Sequence, residues 1–146
     1  MLRNICVGGA LLLGVAAIFN GLFMLYSPVG WYFAVPGVTT TGPFNQHFLR
    51  DIGFIFLFIG ISFLAGVKYP AQRVILWAAP TTWLCAHALF HFWEVAVGIC
   101  GPSVIARDFP AVTLPGILGI CFTAWAIVDR SRSLANDPQI NRTTRF

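Results

Sequence analysis

Three histidines occur in this chain of 146 residues, and each has an acidic side chain close by at helical spacing. One stretch reads Phe44-Asn-Gln-His-Phe-Leu-Arg-Asp51, and the other reads His87-Ala-Leu-Phe-His-Phe-Trp-Glu94. Both lie in or beside apolar runs, where ionisable groups are costly and by default point to function. Histidines at i and i+4 form a two-point grip for a metal ion, and a carboxylate one turn further adds a hard ligand. His87, His91 and Glu94 have that spacing, and His47 with Asp51 would complete a mixed sphere suited to Zn, Fe, Mn or Cu. Metal binding, with redox or hydrolytic chemistry at the ion, is the favoured expectation.

Three other uses compete for the same side chains. One histidine from each stretch would ligate haem b, with Arg50 meeting a propionate, but this leaves Asp51 and Glu94 idle. Without a cofactor, Asp51, Glu94 and Arg50 would carry acid–base chemistry or proton transfer on a small lipid-like substrate. In a structural or accessory subunit, Arg50 and Glu94 would instead lock two helices in an interhelical salt-bridge network. His87, the deepest of the set, is the hardest for that last reading to explain.

Composition dictates the elements that hold these residues. The chain is 58% hydrophobic and 10% charged, with a mean hydropathy of +0.78, whereas a soluble domain is about a quarter charged. An all-α integral membrane protein is expected. Four apolar segments can be drawn, at residues 5–25, 44–67, 74–99 and 112–128, to cross about 30 Å of hydrocarbon at about 1.5 Å per residue. They lack the period-2 alternation of a membrane barrel. Pro80 should kink the third segment, and Pro115 suits the start of the fourth.

Basic residues set the topology. Arg3, Lys68, Arg73, Arg130, Arg132, Arg142 and Arg145 fall on one side of a four-helix bundle, against Arg50 and Arg107 on the other. The positive-inside rule then places both termini in the cytoplasm. The net charge of +4 reads as orientation and contact with the lipid bilayer; scattered through short flanks, it does not suggest nucleic acid. The first segment carries Arg3 and the small residues Val15-Ala16-Ala17 of a cleavable leader. Its apolar run continues to Leu25, longer than an h-region, so a retained span is expected. Residues 129–146 read as a polar, disordered cytoplasmic tail, in which the Asn141-Arg-Thr sequon would be inert.

Height and face bring the two stretches together. Climbing from Lys68 puts Asp51 about 25 Å and His47 about 31 Å up the second segment. Climbing from Arg73 puts His87 about 21 Å, His91 about 27 Å and Glu94 about 31 Å up the third. His87, His91 and Glu94 fall within about 60° of one another, and Trp83 continues their stripe. The short connection between Lys68 and Arg73 makes these helices antiparallel neighbours, so one site near the outer face is expected.

Residues 27–43 carry no charge but three prolines and the adjacent Trp31, Tyr32 and Phe33. They are expected to form an ordered outer loop over the mouth of the bundle, with a turn at Pro36-Gly37. Gly8, Gly9, Gly14, Gly53 and Gly60 should let helices approach closely. The four cysteines form no CxxC pair, which argues against a thiol oxidoreductase; Cys85 and Cys121 should be buried. No strand–glycine loop–helix unit for a nucleotide exists.

In size and four-helix layout the chain resembles the small bacterial inner-membrane proteins grouped as DoxX-like. The resemblance implies an inner-membrane, multi-pass bundle working beside a redox partner, and it assigns no residues. A homo-oligomer or a partner membrane subunit is also expected. Transport is less favoured, because residues 5–25 and 112–128 hold no charge between their ends.

Overall fold

The computed structural model of the chain describes residues 1–136, and every regular element among them is helical. The long helices are α1 (Leu2–Tyr26), α3 (Gln46–Lys68), α4 (Arg73–Ala96) and α6 (Leu114–Ala135). Two short ones, α2 (Pro28–Ala34) and α5 (Ser103–Asp108), lie in the connections. Helices α1 and α3 and the stretch Ser103–Ala135 are long and apolar enough to cross a membrane. Helix α4 has a comparable 24 residues, but Pro80, Thr81, Thr82, His87, His91 and Glu94 dilute its apolar character.

Local chemistry explains the boundaries. Asn45 caps α3 by accepting a hydrogen bond from the backbone N–H of Phe48 at 3.1 Å, which supplies one of the orphan donors of a helix start. Pro115 sits in the first turn of α6, as its fixed φ favours. A π-helical turn, Phe109–Thr113, joins α5 to α6. Helix α4 runs unbroken through Pro80, which is buried. Helix α6 continues to Ala135, so residues 129–135 are helical where a disordered tail is expected from composition. Asp129 explains part of this extension, because its carboxylate reaches back to Arg73, Oδ2 to Nη1 at 3.8 Å. Residues 137–146, with the Asn141 sequon, Arg142 and Arg145, lie outside the described residues.

The long helices alternate in direction and close a ring: α1 packs on α3, α3 on α4, α4 on α6 and α6 on α1. The α1–α3 seam is the most extensive, and glycines set its spacing. A Cβ on Gly60 would stand 2.6 Å from the carbonyl oxygen of Gly14, and one on Gly21 would stand 2.7 Å from that of Gly53. These are two backbone-to-backbone contacts, two turns apart on each helix. Gly21 is the partner missing from the sequence-based set, whereas Gly8 faces open space. Gly60→Val is accordingly expected to cost about 1–2 kcal/mol by forcing the helices apart. Unfolding in mixed micelles measures this, with Gly8→Ala as the control that does not lower stability.

The core is centred in the half of the bundle nearer Arg3 and Arg73, around Trp77 and Phe63, both 0% exposed, and Ile59, 1% exposed. The Trp77 indole donates to the Phe63 carbonyl at 3.0 Å, so its one polar atom is satisfied inside the bundle. Outward faces are apolar and bare: Leu12, Phe19, Phe54, Phe58, Ile75 and Ile120 are all exposed, as a lipid-facing surface requires. Of the cysteines, Cys6 is buried, Cys85 half-buried and Cys121 exposed on α6, against the burial expected for it. All four are free thiols.

Candidate functional site

The last turns of α4 carry His87 and His91 to the end of the bundle opposite Arg3. Beyond Ala96 the chain reverses at Gly98, whose φ of +80° is a left-handed conformation suited to glycine. The carbonyl of Glu94 accepts from the N–H groups of Ile99 at 2.9 Å and Cys100 at 3.2 Å, closing the helix end. This reversal returns α5 alongside α4 and brings its last residue, Asp108, to His91.

There Nδ1 of His91 lies 3.1 Å from Oδ2 of Asp108. Arg107 grips the same carboxylate at both oxygens, Nε donating to Oδ1 at 2.6 Å and Nη2 to Oδ2 at 3.1 Å. The Asp108 side chain is 14% exposed and that of His91 27%, so the interaction is shielded from most of the water that weakens surface pairs. On the other side of His91 stands His87, ring edge to ring face at 4.8 Å between centroids. His87 is itself stacked on Trp83 at 4.9 Å. The imidazole of His91 is thus held by a carboxylate on one side and an aromatic pair on the other.

The connection between α1 and α3 reaches this group through its turn. Gly37 has φ +87°, and its backbone lies so close to the Arg107 guanidinium that any side chain at position 37 would collide with it. The loop is ordered by its own contacts: the Trp31 indole donates to Asn20 Oδ1 at 2.8 Å, and the Tyr32 hydroxyl donates to the Gly42 carbonyl at 2.8 Å. The turn expected at Pro36-Gly37 is present, and it lies against Arg107.

A carboxylate only accepts hydrogen bonds, so the shared hydrogen in this contact belongs to Nδ1 of His91. That leaves Nε2 as the ring nitrogen free to exchange a proton with a substrate. Arg107 fixes Asp108 in turn, as a bidentate guanidinium does best. Geometrically, the group is built to hold one histidine in one tautomer and orientation.

The residues expected to join His91 from the second segment do not. His47 pairs within its own helix with Asp51, Nε2 to Oδ2 at 3.4 Å, with the two side chains 89% and 57% exposed. The reason is rotational. Leu49 and Gly53 are the buried residues of this part of α3, and residues two positions earlier lie about 200° away around a helix. Heights along the two helices match, but the 47/51 stripe faces outward. Arg50 turns to α1 instead, its Nε donating to the Leu25 carbonyl at 3.3 Å. The Glu94 carboxylate makes no hydrogen bond or ion pair among the described residues. Nor, among them, do any three His, Cys, Asp or Glu side chains gather where one metal ion would touch all three. The five-ligand centre expected from His47, Asp51, His87, His91 and Glu94 is therefore not assembled, and neither is a haem pocket between His47 and the α4 histidines.

Asp108 and Arg107 are the functional candidates that spacing arguments miss, because their partner lies 17 residues away across a turn. A signal exists nonetheless: Arg107 and Asp108 are the one charged pair in the otherwise apolar connection between residues 97 and 113. Comparison with protein families, curated proteins and solved structures finds no match for this chain.

Proposed function

We propose that this is a multi-pass inner-membrane protein, a four-helix bundle with both termini inside. Its outer end carries proton-transfer chemistry on a small lipid-like substrate. His91 Nε2 is the acid–base group, Asp108 orients and charge-balances it, and Arg107 positions Asp108. The single observation behind this reading is the contact of His91 with a carboxylate that Arg107 grips at both oxygens. The apolar surroundings support the substrate class. Phe90 and Trp93 stack on each other at 5.6 Å beside His91 and are each about half exposed, so the approach to the imidazole is through an apolar, lipid-facing surface.

Lipid extracts from cells lacking the gene, compared with complemented cells, test this reading. The expected result is a changed lipid species that wild type and His47→Ala restore and His91→Gln and Asp108→Asn do not. Restoration by folded His91→Gln protein would remove the proposal. A second reading keeps the metal, with His87 and His91 as two ligands at i, i+4 and a partner membrane subunit or second copy supplying the rest. Near-stoichiometric Zn, Fe, Cu or Mn in the purified protein, lost in His87→Ala, would favour it.

A further inference from the structure

The opposite end of the bundle, where α1 and α4 begin, holds a second feature that the histidine site does not use. A groove of about 500 Å³ opens there between α1 and the α3–α4 connection, lined by Arg3, Asn4, Gly8, Val67, Pro70 and Arg73. Two guanidinium groups and an amide face it; among the described residues no carboxylate lines it, and Asp129 stands outside the lining, 3.8 Å from Arg73 Nη1. Like charges side by side in a partly enclosed space are unfavourable unless an anion joins them.

Arg73 is the more informative of the two. It is 4% exposed, and its guanidinium lies over the rings of Trp77 and Trp125, at 5.3 and 5.5 Å from their centroids. Its Nε is spent on the Gly66 carbonyl at 3.0 Å. Nη1 comes only within 3.8 Å of Asp129, too far for a hydrogen bond. Among the described residues no sealed side-chain nitrogen lacks a partner, so the two Nη groups, which make no hydrogen bond, retain open space beside them. A rigid, nearly buried arginine thus presents unused donors at a groove, with Arg3 opposite. The amino-terminal ends of α1 and α4 add partial positive charge at the same place. A Cβ on Gly8 would meet nothing within 4 Å, so the groove wall is bare backbone at that one position of α1.

We propose that this groove binds a phosphoryl group between Arg3 and Arg73. Guanidinium pairs match phosphate oxygens in charge and geometry. The groove lies at the end that the basic residues assign to the cytoplasmic leaflet, where anionic lipid is enriched. The ligand is therefore either the headgroup of a phosphate-bearing lipid or a free phosphate.

Thermal unfolding of the full chain in neutral detergent tests this, with inorganic phosphate, short-chain phosphatidic acid and short-chain phosphatidylcholine titrated in turn. Phosphatidic acid is expected to raise the melting temperature and phosphatidylcholine is not. Arg3→Gln should weaken the apparent affinity about tenfold, as loss of a charge-assisted contact does. Gly8→Leu should do the same by filling the groove while leaving both arginines in place. Neither variant should lower the melting temperature without ligand. Equal potency of inorganic phosphate would identify free phosphate as the ligand, and a response to phosphatidic acid alone would identify the lipid. Stabilisation by neither, or equal stabilisation of wild type and both variants, would overturn the proposal.

Discussion

Asp108→Asn is expected to destabilise the folded protein by about 1–2 kcal/mol, as removal of a carboxylate shared by two partners in a partly exposed ion pair does. The substitution is nearly isosteric, so packing is conserved and the loss is electrostatic. It leaves the Arg107 guanidinium without the carboxylate it grips through two hydrogen bonds and removes the charge opposite His91. The figure lies below that for a fully buried pair because the Arg107 side chain is 32% exposed and regains some water. Equilibrium unfolding in mixed micelles measures it. Asp51→Asn is the matched control: its pairing with His47 is exposed on both sides, and the expected change is under about 0.5 kcal/mol. A double-mutant cycle of Asp108→Asn with Arg107→Gln should return a coupling of about 1–2 kcal/mol. Equal effects at Asp108 and Asp51 would mean that α5 does not hold its carboxylate at α4.

Trp77→Ala should be the most damaging single substitution in the bundle core, at about 3–5 kcal/mol. The side chain is fully buried and joins α4 to two other helices: its ring packs against Phe63 of α3 and against Phe122 and Trp125 of α6. Its removal leaves a cavity, abandons the Phe63 carbonyl and takes away one of the two surfaces over which Arg73 is spread. Trp77→Phe separates these causes. It retains most of the volume and loses the indole donor, so about 1–2 kcal/mol is expected from the unmade hydrogen bond. The same unfolding measurement decides, and a Trp77→Phe cost equal to that of Trp77→Ala would place the whole effect in the hydrogen bond.

Apolar length and prolines make the helices legible in the sequence. Residues 5–25, 44–67 and 74–99 correspond to α1, α3 and α4 within a few positions, since burial of backbone polar groups leaves an apolar run few options but a helix. The end of α6 was not readable: Asp129, Arg130 and Arg132 look like a solvated tail, and only the proximity of Arg73 shows why the helix continues. Half of the site was legible. His87 and His91 share a face because i, i+4 spacing fixes it. Whether α3 presents His47 and Asp51 to that face depends on its rotation about its own axis, which the glycine seam with α1 dictates. That seam spends Gly53 and Gly60 on α1 and turns the 47/51 stripe outward. Asp108 has no such signature, because a tight reversal at Gly98, and not any periodicity, returns it to His91.

Nitrogen-15 spectra of histidine-labelled protein in lipid nanodiscs address the His91–Asp108 pairing most directly. One imidazole, assigned by its loss in His91→Gln, is predicted to carry its proton on Nδ1, with Nε2 free, and to lose that fixed tautomer in Asp108→Asn. A His91 ring that carries its proton on Nε2, or whose signals are indifferent to Asp108, would contradict the account.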